Sequence, residues 1–266
     1  MKELSICIAF SFLAIISCRK DRHSAQSGIT TDIRIDRFEK ELFSIDPSLI
    51  GGYINQWEKS YGEFFNHFCQ VTGLGDRSDS GFRERFKDFV SDRNTYMLYK
   101  RTMEVFPDLD DLTAGLNRAF SNYVHYFPGM PVPHIYTFIS GFSKSAITDD
   151  SLLAIGLDRY LGTSEPLYRE AGIYEYLTPN MHPEKIPSDC MNFWAETEFP
   201  FNDSVNSLIA NMIYQGRTLY FTKVMLPGQP DTLNLGFSSD ELEYLEKNEK
   251  SMWAFLVEHK LLFNTD

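Results

Sequence analysis

The stretch Asp203–Leu226, DSVNSLIANMIYQGRTLYFTKVML, decides the fold as read from sequence. It opens on Asn202, Asp203 and Ser204, side chains that accept hydrogen bonds from the free N–H groups of a first helical turn. Leu208, Ile209, Met212, Ile213, Leu219, Tyr220 and Phe221 follow near helical spacing, which predicts a long, mostly buried helix. Leu226-Pro227-Gly228-Gln229-Pro230 ends it. On its N-terminal side, Pro187-Ser188-Asp189 caps a helix running to about Thr197, after a proline-rich loop over 179–187 and a helical or mixed segment over 165–176. On its C-terminal side, Ser238-Ser239-Asp240 with Glu241 starts another helix, which Lys247–Leu262 continues or restarts.

Further upstream the pattern changes twice. Asp32–Ile45 begins with alternation at Ile33 and Ile35 and reads as a first strand with helical turns at its end. Leu49–Val71 carries Ile54, Trp57, Tyr61, Phe64, Phe65 and Phe68 at spacings of three and four, an amphipathic helix. Ser80–Val90, Asn94–Phe106 and Leu112–Tyr126 are three more, so 47–126 is a helical half. Beyond Phe127-Pro128-Gly129-Met130-Pro131, Pro133–Ser140 and Ser151–Tyr160 read as strands paired through a turn at Asp149-Asp150, with Ser145–Ile147 short and extended. The second strand is continuously apolar, which implies burial on both faces. No repeat or long linker follows residue 28, so residues 29–266 are expected to form one α+β domain, mostly helical with a small sheet.

Hydrophobic residues make up 43% and aromatics 15% of the 266 residues, enough for a sizeable core. The net charge of −12 leaves no basic face for a phosphate backbone, so nucleic acid is not an expected partner. The chain begins with Lys2 and an apolar run from Leu4 to Ile16 broken by Ser5 and Ser11. That run is shorter than the ~20 residues a membrane span needs and fits a secretory signal over 1–17. Its end, Ile15-Ile16-Ser17-Cys18, resembles the bacterial lipoprotein box, which implies cleavage after Ser17 and lipid attachment at Cys18. The polar residues 18–28 then read as a flexible tether. Cys69 and Cys190 remain, either as one disulfide or as buried free thiols.

Motifs that carry chemistry are few. The histidines, His23, His67, His125, His134, His182 and His259, include no pair at i, i+4 and no H-E-x-x-H, and none has a cysteine at zinc-ligand spacing. There is no G-x-S-x-G elbow and no glycine-rich phosphate loop, so no catalytic residue, metal ligand or cofactor is assigned. Acidic pairs such as Asp110/Asp111 and Asp149/Asp150 sit in turns, where capping explains them.

Several segments together resemble the gliding-motility lipoprotein GldB family of Bacteroidetes. They are the lipoprotein box at Cys18, Arg37-Phe38-Glu39-Lys40-Glu41-Leu42-Phe43, the stretch Ala154-Ile155-Gly156-Leu157-Asp158-Arg159-Tyr160-Leu161-Gly162, Leu208–Arg217, and Asn248-Glu249-Lys250-Ser251-Met252-Trp253. The resemblance implies an envelope lipoprotein, associated in gliding bacteria with movement, and related sequences occur in non-gliding members of the phylum. The order of elements is also similar to zincin-type metallopeptidases, in which a long helix carries H-E-x-x-H. That likeness would place Ala210, Asn211 and Tyr214 where histidine, glutamate and histidine stand, with Glu249 downstream. Alanine has no donor atom and asparagine is no base, so the likeness implies a degenerate site without metal. A residual pocket lined by Asp158, Asn211 and Tyr214 is its sharper form.

The expected function is a non-enzymatic envelope lipoprotein, a binding or assembly component held to the membrane through Cys18 and acting on envelope proteins. The mainly basic Arg19-Lys20-Asp21-Arg22 after the cysteine favours the periplasmic side of the outer membrane. Two rivals are a peptidase-like hydrolase, in which His125, His134 or His182 would converge with Glu249, and a small-molecule or glycan-binding lipoprotein.

Overall fold

The structure is a computed structural model that describes residues 30–265; the expected signal segment and tether, with Ser17 and Cys18, lie outside the described residues. Strand β1 (Ile35–Arg37) runs directly into α1 (Phe38–Ser44). Helices α2 (Ile50–Tyr61), α3 (Glu63–Val71), α4 (Phe82–Ser91), α5 (Arg93–Val105) and α6 (Asp110–Tyr126) follow. Then come strands β2 (His134–Phe138), β3 (Ala146–Thr148) and β4 (Leu152–Gly156). A 3-10 turn over Leu157–Tyr160 leads to α7 (Pro166–Glu170), two more 3-10 turns, α8 (Ile186–Glu198), α9 (Leu208–Met225), α10 (Asp231–Leu235) and α11 (Ser239–Glu258).

The sheet has the order β1-β2-β4-β3. The first three strands are parallel, with Ile35 opposite Ile135 and Ile135 opposite Leu153, and β3 lies antiparallel on the edge. Alternate residues feed two cores. Ile135, Leu153 and Ile155 face one built from α6, α8 and the end of α9, with Phe120, Tyr123, Trp194 and Phe221. Tyr136, Phe138, Leu152 and Ala154 face the other, built from α2, α3 and α4, with Trp57, Phe64, Phe68 and Phe86. Every residue of β4 is buried, which is why its sequence is continuously apolar. The described residues are thus one α+β domain, mostly helical around a small sheet.

The turn at Asp149-Asp150 does not pair the two longer strands with each other. It joins β3 to β4, with the Asp149 carboxylate accepting from the backbone N–H groups of Ser151 and Leu152. The chain leaves β2, lays down β3 one place further out, and returns β4 into the slot between them, so β2 and β4 run parallel. The expected helix over 49–71 is two helices, because Gly62 takes a left-handed φ of 52° that interrupts the ladder. The stretch at 203–226 departs most. Its helix starts at Leu208, where the Ser207 side chain accepts from the N–H of Ala210, while Asn202 instead closes a local turn onto Ser204. It is also not mostly buried. Thr218, Phe221, Thr222 and Met225 are inside, whereas Ile213 and Tyr220 are 57% and 60% exposed. Apolar side chains run right round this helix, and only one stripe of them meets a core.

The corner between β1 and α1 ties the layers together. Phe38 is fully buried, and its ring meets the edges of Trp57, Tyr61, Phe64 and Phe68 at 4.9 to 5.6 Å. Glu39, also fully buried, accepts from Arg37 Nε and from Thr137 Oγ1 of β2, each at 2.7 Å. Arg37 Nη2 donates to the Phe106 carbonyl at 2.9 Å. Glu41 accepts from Trp57 Nε1 at 2.7 Å and from the Tyr61 hydroxyl. Phe43 stacks on Tyr99. Replacing Glu39 by alanine leaves the half-buried Arg37 Nε and the buried Thr137 hydroxyl without their shared acceptor, so Glu39→Ala should lower stability by about 3 kcal/mol, a Tm fall of roughly 6–12 °C, with Glu39→Gln losing less. Urea and thermal unfolding of the three proteins measure it.

Candidate functional site

The predicted pocket residues do not converge. Asp158 follows β4 in the 3-10 turn and is fully buried. Its Oδ2 accepts from the N–H of Phe142 at 2.6 Å, the N–H of Ser140 at 3.1 Å and the Ser140 hydroxyl at 3.2 Å. Gly141 and Phe142 both stand at φ 67°, a left-handed turn that points the N–H groups of Ser140 and Phe142 inward round an anion. Here the anion is the protein's own carboxylate. Gly156 makes this approach possible, since a Cβ there would run into the Lys144 carbonyl. Burial pushes the Asp158 carboxyl up to about 6, against the opposing pull of the Phe142 and Ser140 donors. The oxygens of Asp158 therefore serve the loop between β2 and β3.

Ala210 and Tyr214 share an open groove of about 220 Å³ with Phe199, Phe201, Ile213 and Arg217. Tyr214 packs its ring against Phe201, and burial raises its hydroxyl above the usual phenol range. Asn211 turns away into local bonds, donating to Asn206 Oδ1 and the Ser207 carbonyl. Glu249 is exposed on α11. The structure thus brings Ala210 and Tyr214 together and leaves Asp158, Asn211 and Glu249 apart.

Histidines pair locally: His67 with Asp149 at 3.3 Å, His134 with Asp36 at 2.7 Å and His182 with Glu184 at 2.8 Å, while His125 meets the Tyr126 ring. None of these contacts involves Glu249. Among the described residues, no group of three or more His, Cys, Asp or Glu side chains is placed to hold a metal ion. Cys69 and Cys190 are both buried free thiols in different cores, and burial pushes Cys69 up to about 12.

One polar cluster was not anticipated. Tyr160 donates to Asp189 Oδ2 at 2.9 Å, and Lys185 Nζ lies 3.1 Å from Asp189 Oδ1 and 2.7 Å from the Leu233 carbonyl, to which Ser188 also donates. Burial raises the Asp189 carboxyl, with the Lys185 ammonium pulling the other way. The ammonium has acceptors at Asp189 and Leu233, so the cluster fastens the start of α8 to α10 and to the turn after β4. The spacing of Lys185, Ser188 and Asp189, at i, i+3 and i+4 across a helix start, was the signal in the sequence.

The surface differs sharply from this interior. Helix α11 begins with a capping box between Ser238 and Glu241 and extends for 20 residues without one buried side chain. Met252, Trp253, Phe255 and Val257 are exposed on it, as is Phe263 beyond its end. Among the described residues, no helix is long and apolar enough to cross a membrane.

This is an α+β domain whose best-formed polar constellations are internal braces and whose unpaired chemistry is apolar and external. The chain belongs to the family described as gliding motility protein GldB, whose model matches residues 19–266. It is therefore a gliding-motility-type lipoprotein of the cell envelope. No curated protein and no solved structure matches it.

A carboxyl that is raised in the fold binds a proton there that the unfolded chain releases. The Asp158 contribution to stability is therefore full below pH ~4 and is lost as pH rises through about 6. The stability of the protein relative to Asp158→Asn should accordingly fall by about 2 kcal/mol between pH 4 and 7. Urea midpoints of both proteins across that range give the difference.

Proposed function

We propose that the chain is a non-enzymatic binding or assembly component of the envelope, hung by acyl chains on Cys18 from the outer membrane and facing the periplasm. The observation that carries this reading is α11: a capped, 20-residue helix with no buried side chain that displays Met252, Trp253, Phe255 and Val257. Large apolar side chains exposed together on one helix are the kind of surface that docks a partner in a soluble domain. The interior supports the same reading. Glu39, Asp158 and Asp189, the deeply held carboxylates, are engaged by donors of the fold and are not turned towards the groove beside Tyr214. Anchoring by more than one acyl chain on one cysteine would be stable, where a single chain would exchange.

The mature protein should begin at Cys18 and carry the mass of its acyl groups, and Cys18→Ala should keep residues 1–17 and lose function in cells. Intact mass of the membrane-extracted protein, with fractionation of the variant, reads both. Normal processing and normal function of Cys18→Ala would refute the anchor.

A further inference from the structure

We propose that the outward face of α9 docks a protein segment that carries one bulky apolar side chain with an aspartate or glutamate beside it; this rests on the reading of the chain as a binding component above. No residue of α9 before Thr218 is buried, although Leu208-Ile209-Ala210-Asn211-Met212-Ile213-Tyr214 is largely apolar. The cores therefore do not account for this composition. Ile209, Ile213, Gly216, Arg217 and Tyr220 stand at i, i+4, i+7, i+8 and i+11, within about 100° of one another round the axis, so they share one face. This is the spacing with which a helix meets a partner along a single stripe. Ile213 and Tyr220 are exposed on it.

The groove beside this stripe selects the partner. It holds about 220 Å³ and is walled by Phe199, Phe201, Ile213 and Tyr214. Sites for small molecules enclose roughly 300–1,000 Å³. The groove therefore takes one large side chain, and the stripe from Ile213 to Tyr220, about 10 Å long, needs a surface that continues beyond that anchor. A protein segment supplies both. Arg217 is the one charged residue lining the groove, and among the described residues it makes no ion pair. Glu196 of α8 acts on the same Tyr214 hydroxyl but is half-buried, and burial favours its neutral form. A guanidinium at the rim of an apolar groove selects a carboxylate next to the anchor.

Gly216 sets how close that partner comes. Glycine inside a helix is unfavourable against alanine. A Cβ on Gly216 would meet nothing within 4 Å, so no packing inside the domain requires a glycine there. Between Ile213 and Tyr220 it leaves room for another backbone to approach the helix. A second copy of the chain does not suit this position, because a two-fold pairing across Gly216 sets Arg217 against Arg217. The face also adjoins the end of the chain beyond α11, since the N–H groups of Leu208 and Ile209 donate to the carbonyls of Asn264 and Leu262 at 3.1 and 2.9 Å.

A benzophenone side chain in place of Ile213, in the full chain in its own cells, tests this, with the light-driven adducts mapped by mass spectrometry. The adduct should join position 213 to an apolar side chain of another protein that has an aspartate or glutamate within one helical turn. Arg217→Glu should cut its yield at least tenfold, and lysine in place of the partner's carboxylate should restore it. Gly216→Leu should abolish the adduct while the Tm of the purified protein does not fall, because leucine is the better helix former and has open space around it. An adduct unchanged by either variant, or not restored by the lysine exchange, overturns the proposal. So does an adduct to lipid or to a second copy of the chain, or a lowered Tm for Gly216→Leu, which would mean that the glycine serves the domain itself. The same probe in place of Phe255, exposed on α11, separates the two readings. A protein adduct at 255 alone keeps the binding component and removes the α9 face. No protein adduct at either position overturns both.

Discussion

The buried carboxylate of Glu39 is the junction on which the fold depends. It sits where β1 becomes α1, receives Arg37 from its own corner and Thr137 from β2, and so fixes the first strand against the second. The same Arg37 reaches the carbonyl that ends α5. One residue earlier, Phe38 turns to the opposite side of the corner and becomes the hub of the aromatic core under α2 and α3. A chain that must cover both faces of a small parallel sheet needs a firm point from which the two layers diverge. A buried ion pair provides direction there more than it provides net stability.

Asp158 plays the complementary part at the other end of the sheet. The loop from β2 to β3 must pass over the end of β4, and with Gly141 and Phe142 left-handed, the N–H groups of Ser140 and Phe142 point inward. A carboxylate from the turn after β4 satisfies them, and the glycine at 156 lets the strands come close enough. Arg37–Phe43 and Ala154–Gly162, two of the segments in which the family resemblance was read, thus have a part in the construction of the sheet.

Much of this was legible from local pattern. The apolar run 152–156 announced a strand buried on both faces, and Ser238 with Glu241 announced the last helix. The parallel pairing of β2 with β4 was not, because the sequence signal at Asp149 marks a turn and says nothing about which strand lies in the slot. Burial of 203–226 was overestimated for a physical reason: periodicity records which side chains are apolar, and Ile213 and Tyr220 are apolar without a core to meet. The predicted pocket failed because Asp158 and Tyr214 belong to opposite kinds of environment, one sealed by donors and the other open on a groove.

The account turns on α11 being a helix held outside both cores. Amide hydrogen exchange on residues 29–266 in solution, a segment that holds the whole sheet and both cores, tests this most directly. The amides of Ser239–Glu258 should exchange orders of magnitude faster than those of β4 and α6, since local opening there uncovers no buried side chain. Protection of α11 equal to that of α6 would mean that the domain itself covers those side chains, and the external surface on which the functional reading rests would not exist.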